Sequence, residues 1–304
     1  MNDGDGGFVS RFEVGTEADR TYTAALADLD GDSDLDLVVG NDQPDEKKIY
    51  RNDGFGNFEL AGTFGNSEWP TRNVTVADLT GDGRPEIVVA NRGSADRSAN
   101  YVCMNDGEGG FSECNQLSVE SATTIAVGDL NGDGFADLVV PHRDRGRSYV
   151  FINDGKGGFA DRHRIGPVRT SSRAVAVADL NGDSYPDVII GDARRGGSRV
   201  FLNDGNASFS SSYSLGEQMG HVYAIATADI DSDGDIDVIF GNRLAPGAVL
   251  VPEGGENSFS VTRFGDGAGT VYGLAIGDVD GDGTLDIVTA RSDAPSMLYF
   301  GGRI

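Results

Sequence analysis

Positive charge is scarce in this 304-residue chain: lysine and arginine together number 24 against 49 aspartates and glutamates, and only three of them are lysines. A formal charge of −25 argues against a nucleic-acid or anionic-membrane partner, because both are themselves negative. There are one tryptophan, three histidines and two cysteines. No His-rich zinc motif, Gly-x-Ser-x-Gly elbow, Walker loop or dinucleotide fingerprint occurs. Apolar runs fall short of the roughly 18 residues that a membrane helix needs, so no membrane insertion is expected. The N-terminus lacks a basic segment followed by an apolar one, and the expectation is that any signal peptide has been removed.

Glycine is plentiful instead, 45 residues, which implies many tight turns. The acids recur at fixed intervals. Asp-x-x-Gly/Ser-Asp-x-x-x-Asp/Glu begins at Asp28, Asp78, Asp129, Asp179, Asp229 and Asp278, a period of about 50 residues that marks a repeat architecture. A second marker, Asn-Asp-Gly followed by Phe, stands at Asn2, Asn52, Asn105, Asn153 and Asn203, with Pro252-Glu253-Gly254 as a degenerate copy. Between the markers lie short β-branched runs such as Asp187-Val188-Ile189-Ile190, four per repeat, and no helical period.

Four short strands per unit predict an all-β fold, a six-bladed propeller of four-stranded blades in one domain. The blades are expected at approximately 21–65, 71–117, 122–166, 172–215, 222–265, and 270–304 plus 1–14. The last blade would be closed by the N-terminal strand, since residues 297–302 read as a third strand and residues 2–8 as the turn and fourth strand that follow. A linear solenoid is the alternative, but neither end resembles a cap. Cys103 and Cys114 flank the turn of one predicted hairpin. A cross-strand disulfide there fits an oxidising compartment, and two buried free thiols are the alternative.

Each Asp loop offers side-chain oxygen at positions 1, 3, 5 and 9: Asp28, Asp30, Asp32 and Asp36; Asp78, Thr80, Asp82 and Glu86; Asp129, Asn131, Asp133 and Asp137; Asp179, Asn181, Asp183 and Asp187; Asp229, Asp231, Asp233 and Asp237; and Asp278, Asp280, Asp282 and Asp286. Hard oxygen donors in that number suit calcium rather than zinc, so about six Ca²⁺ ions, one per blade, are expected. An EF-hand is excluded, because position 12 is Val39, Val89, Val140, Ile190, Phe240 or Thr289 where that motif needs a bidentate Glu. The second loop departs most, with Thr80 at position 3 and Arg84 inside it.

Segments such as Ala178-Asp179-Leu180-Asn181-Gly182-Asp183 and Val200-Phe201-Leu202-Asn203-Asp204-Gly205 resemble the FG-GAP or VCBS repeats of integrin α-subunit-like calcium-binding propellers. The resemblance covers essentially the whole chain. It implies the propeller and the calcium; of activity it implies little, since similar propellers serve as adhesion heads, lectins, and scaffolds of lyases and biosynthetic enzymes.

In an up-and-down meander, the Asp loops and the Asn-Asp-Gly turns share one face. The opposite face varies between repeats and is rich in arginine, with acids such as Asp96, Asp144 and Asp192 nearby. Six residues before each loop stand Tyr22, Arg72, Thr123, Arg173, Tyr223 and Tyr272. After the second strands stand Asn41, Asn91, His142, Asp192, Asn242 and Arg291. Such unlike residues in one register predict a ligand at the axis of the variable face, with Arg72, Arg173, Arg291 and His142 as polar contacts and Tyr22, Tyr223 and Tyr272 as walls. The expected function is a secreted, periplasmic or cell-surface binding or adhesion propeller that recognises an acidic glycan or small acidic molecule. A protein partner on a rim surface is a further expectation. An enzyme of polysaccharide-lyase or cyclase type, using His221, Tyr223, His142 and Tyr272, is the alternative.

Overall fold

The computed structural model describes residues 13–15, 17–93, 99–194, 196–216, 219–254 and 258–302. They form six antiparallel sheets with no α-helix among the described residues. The first sheet runs through Thr21–Ala27, Asp36–Asn41, Lys47–Asn52 and Phe58–Phe64, and the second through Thr71–Ala77, Glu86–Asn91, Asn100–Met104 and Glu113–Ser118. The third comprises Ala126–Gly128, Asp137–Val140, Ser148–Ile152 and Asp161–Ile165; the fourth, Ser172–Ala178, Asp187–Asp192, Arg199–Leu202 and Ser211–Ser214. In the fifth the strands are Val222–Ala228, Asp237–Asn242, Gly247–Pro252 and Phe259–Phe264, and in the sixth Thr270–Gly277, Asp286–Ser292 and Met297–Tyr299. Every sheet pairs its strands in chain order, the meander of a propeller blade. The closing fourth strand expected of the sixth sheet falls on residues 1–12, outside the described residues.

Two compact units divide these sheets: Glu13–Ser171 with Gly205–Ala207 holds the first three, and Ser172–Asp204 with the residues from Ser208 onward holds the last three. Within each unit the core lies between consecutive sheets. In the first unit Val38, Ile49, Val74, Ile87 and Val89 pack together, and Leu79, Val102, Leu138 and Phe151 form a second cluster. In the other, Ile189, Val200, Val222, Val238, Phe240 and Leu250 form the core. Four second strands are covered on both faces: Glu86–Asn91, Asp137–Val140, Asp187–Asp192 and Asp237–Asn242 are buried throughout. Hence they read as unbroken apolar runs rather than alternation. The fourth strands face solvent, and Asp161–Ile165 buries only its last residue.

Close packing of neighbouring sheets dictates small residues at one point of the second strand. A Cβ on Gly191 or Gly241 would press into Val222 or Val271 of the next sheet. The disulfide is formed: Cys103 and Cys114 are directly opposed in adjacent strands, Cα atoms 3.9 Å apart.

Candidate functional site

All six Asp loops fold the same way because their fourth and sixth residues both take left-handed φ. Those residues are Gly31 and Ser33, Gly81 and Gly83, Gly132 and Gly134, Gly182 and Ser184, Ser232 and Gly234, and Gly281 and Gly283. Glycine adopts this conformation without a Cβ penalty. The turn returns backbone N–H groups to the first aspartate: Gly31 and Ser33 donate to Asp28 at 2.7 and 2.9 Å, and Gly281 and Gly283 to Asp278 at 2.7 and 3.0 Å.

The ninth position is a buried carboxylate in every loop. One oxygen accepts the N–H of the loop's second residue, as from Leu29 to Asp36 (3.2 Å), Leu79 to Glu86 (2.8 Å) and Ile230 to Asp237 (2.8 Å). The other accepts an N–H from the end of the third strand or just past it: Asn52 to Asp36, Asn153 to Asp137, Asn203 to Asp187 and Gly301 to Asp286, all 2.8–2.9 Å. In the fifth sheet this donor position is Pro252, which has no N–H. Asp237 Oδ1 is accordingly buried without a partner. Burial, reinforced by the loop's other aspartates, pushes the Asp237 carboxyl up to about 6, and Asp187 rises to about 6 mainly for the same reason.

In the described Asn-Asp-Gly turns, those of Asn52, Asn105, Asn153 and Asn203, the asparagine grips these loops, which confirms that turns and loops share one end of their sheets. Asn105 Nδ2 donates to the carbonyls of Leu29 and Pro85, and Asn153 Nδ2 to those of Leu79 and Ala136.

The loops fit a hard cation on two observations. Carboxylate oxygens of Asp28, Asp30 and Asp32, of Asp229, Asp231 and Asp237, and of Asp278, Asp280 and Asp282 lie within 4.8 Å of one another. Two buried loop oxygens, Thr80 Oγ1 and Asp237 Oδ1, lack a protein partner, a costly condition that an ion would relieve.

At the opposite end of the first strands, ladder pairing slips by one residue in five sheets, between Thr21 and Thr23, Thr71 and Asn73, Ser172 and Ala174, Val222 and Ala224, and Val271 and Gly273. The extra residue of each bulge is Tyr22, Arg72, Arg173, Tyr223 or Tyr272. Bulges re-aim side chains. Thr123 of the third sheet precedes a first strand of only three residues and has no such bulge.

In the first unit the Arg72 guanidinium lies 4.1 Å from the Tyr22 ring centroid, and Nη1 also pairs with Asp42 at 2.8 Å. In the other unit Arg173 lies 4.8 Å from the Tyr223 centroid, and Tyr223 meets Tyr272 edge-to-face at 5.6 Å. Tyr22 and Tyr272 remain 57% and 61% exposed.

The second register behaves differently from expectation. Asn41, Asn91 and Asn242 are buried, and each Nδ2 donates to a carbonyl of its own connection, that of Glu46, Ala99 or Pro246. These bonds hold the turns. Arg291 is likewise engaged, with only 4% of its side chain exposed: it pairs with Asp266 at 2.5 Å and donates to the Pro295 carbonyl. Arg143 and Arg194 pair with Asp144 and Asp192, while Asp96, Arg97 and Arg195 lie outside the described residues.

His142 is half-buried, which lowers its pKa, and Nδ1 accepts from the Asp144 N–H at 3.3 Å. The Nδ1 of exposed His221 lies 2.6 Å from the Ala193 carbonyl, so this nitrogen carries a hydrogen and donates it. Trp69 stacks on Tyr101 at 3.9 Å and packs on the core. His163 lies on an exposed outer strand. A separate concavity of about 570 Å³ opens in the first unit, lined by Met104, Glu113, Gln116, Asp154, Lys156 and Phe159. Asp42 was not visible as a site residue from sequence; only the fold places it beside Arg72.

Sheets of one repeated meander, each with an Asp loop at one end, define a β-propeller with six blades. The chain belongs to the FG-GAP-like repeat family, which matches residues 28–89, 89–140, 129–190 and 179–240. Among curated proteins none matches the sequence. Among solved structures it is similar to an Agrocybe aegerita lectin described as specifically recognising non-reducing terminal N-acetylglucosamine. The TM-score is 0.60 and the identity 21%, over 90% of this chain and 72% of that one. At that identity the likeness establishes the fold.

Proposed function

We propose that this protein is a calcium-stabilised glycan-binding propeller of a secreted, periplasmic or cell-surface setting. The observation that carries the reading is the row of bulged residues Arg173, Tyr223 and Tyr272. An exposed tyrosine face suits the apolar side of a sugar ring, with its edge braced by a second tyrosine. Beside it the guanidinium fork offers donors to a carboxylate or sulfate, so the glycan is acidic. Tyr22 and Arg72 repeat the pairing in the first unit, with Asp42 moderating the charge. The lectin likeness supports sugar recognition. The disulfide agrees with an oxidising compartment, and no helix among the described residues is long and apolar enough to cross a membrane.

Calcium would be held by the first, third, fifth and ninth residues of the second to sixth Asp loops, where it neutralises crowded carboxylates and clips the first strand to the second.

A glycan array followed by calorimetry tests the proposal. Uronic or sulfated saccharides should bind, and Tyr272→Ala and Arg173→Ala should weaken them. Binding lost instead on changing Glu113 and Gln116 would move the site to the other concavity. Neutral and acidic saccharides bound equally would refute the acidic preference. Chemical change of a bound saccharide would turn the reading towards an enzyme.

A further inference from the structure

The first loop carries an arginine across its third- and ninth-position carboxylates. Pairing of the second and third strands sets Arg51 opposite the ninth loop position in the first sheet. The same register gives Met104, Ile152, Leu202, Val251 and Phe300 in the other sheets, all apolar. Arg51 Nη1 lies 2.5 Å from Asp30 Oδ2 and 3.0 Å from Asp36 Oδ2, the third- and ninth-position carboxylates. Its other terminal nitrogen donates to the Glu108 carbonyl at 2.6 Å, in the Asn-Asp-Gly turn of the second sheet. Gly109 leaves room for this contact, since a Cβ there would collide with the guanidinium. Four-fifths of the Arg51 side chain is buried.

A guanidinium so placed is a permanent monocation shared between two carboxylates that a metal ion in this loop would need. Asp36 is otherwise satisfied by the N–H groups of Leu29 and Asn52, unlike Asp237 with its orphaned oxygen. An ion entering the first loop would have to displace a tethered cation, which competes at high effective concentration. We propose that Arg51 closes the first loop in place of calcium and ties that loop to the turn of the second sheet. The proposal rests on the reading that the other loops hold calcium.

Bound calcium per chain, measured by atomic emission after equilibration and removal of excess, tests it. Arg51→Met, which installs the residue type of the second sheet, should gain one ion over the native chain. The reciprocal Met104→Arg should lose one, and Arg51→Lys should leave the count unchanged. Equal counts in the native and Arg51→Met proteins, with calcium bound in both, overturn the substitution while leaving the other loops intact. Should Arg51→Met fail to fold, an unchanged count in Met104→Arg overturns it instead. If no protein binds calcium, the calcium reading itself falls. Melting in EGTA then decides the role of Arg51: Arg51→Met must melt below the native chain, and equal melting rejects it.

Discussion

The two ends of each first strand obey different rules. At the Asp-loop end six copies repeat one turn, with left-handed residues at the same two positions and a buried ninth-position carboxylate in every case. At the other end, six residues before the first aspartate, the same strands bulge outward unlike residues: tyrosine in three sheets and arginine in two. Uniformity follows where each loop has the same structural task. Divergence is tolerated where the backbone geometry is fixed by the bulge and, on the proposed function, the side chain is left to a ligand.

The contrast breaks first if the Asp-loop end proves indifferent to calcium. Each site held at about a hundredfold excess over its dissociation constant contributes about 2.7 kcal/mol. Several sites together should make EGTA lower the melting temperature by about 10 °C or more. An unchanged melt would leave the uniform end without its proposed cause.

A control that removes no loop carboxylate and no bulged residue comes next. The disulfide closes a short loop between residues 11 apart in sequence, so replacing both cysteines with serine should cost about 2–3 kcal/mol. The loss should be the same with and without calcium. Calcium-dependent loss in a urea titration would show that the staple and the loops are coupled.

Asp237→Asn sharpens the comparison within the uniform end, because Pro252 leaves this carboxylate short of a donor. In EGTA at neutral pH the substitution should stabilise by about 1–2 kcal/mol, and in saturating calcium it should destabilise by a similar amount. The pH dependence has the matching sign. With folded-state values near 6 for Asp187 and Asp237, above about 4 for an unfolded aspartate, the calcium-free native state binds the extra protons. These two groups therefore make it lose stability as pH rises from about 4 to about 6. Denaturant melts in EGTA across that range check it, and a contribution that grows with pH would contradict the assignment.

The smallest effect belongs to the divergent end. Tyr272→Ala or Arg173→Ala should weaken an acidic glycan about tenfold, about 1.4 kcal/mol, and shift the calcium-dependent melt hardly at all. Calorimetry and melting on the same samples separate these outcomes, and a variant that loses calcium stabilisation along with the glycan would join the two ends into one site.

What the sequence determined by itself is what is local. The left-handed turn and the return of N–H groups to the first aspartate lie within a few residues of one another, so Asp, Gly and Ser at fixed spacing announce them. Repetition of that signal at about 50-residue intervals then gave the blades, and the two cysteines flanking a short turn gave the disulfide. What only the tertiary structure decided depends on register between strands and on packing between sheets. Whether Arg72 faces a ligand or shares its charge with Asp42, whether Arg291 is spent on Asp266, and where the bulges fall are of this kind. So are the Arg51 bridge and the orphaned oxygen of Asp237, because each arises where a third strand is laid beside a second one. Residues 15 or more apart meet there only after the sheet has paired, and a shift of one residue would bring a different side chain to the carboxylate.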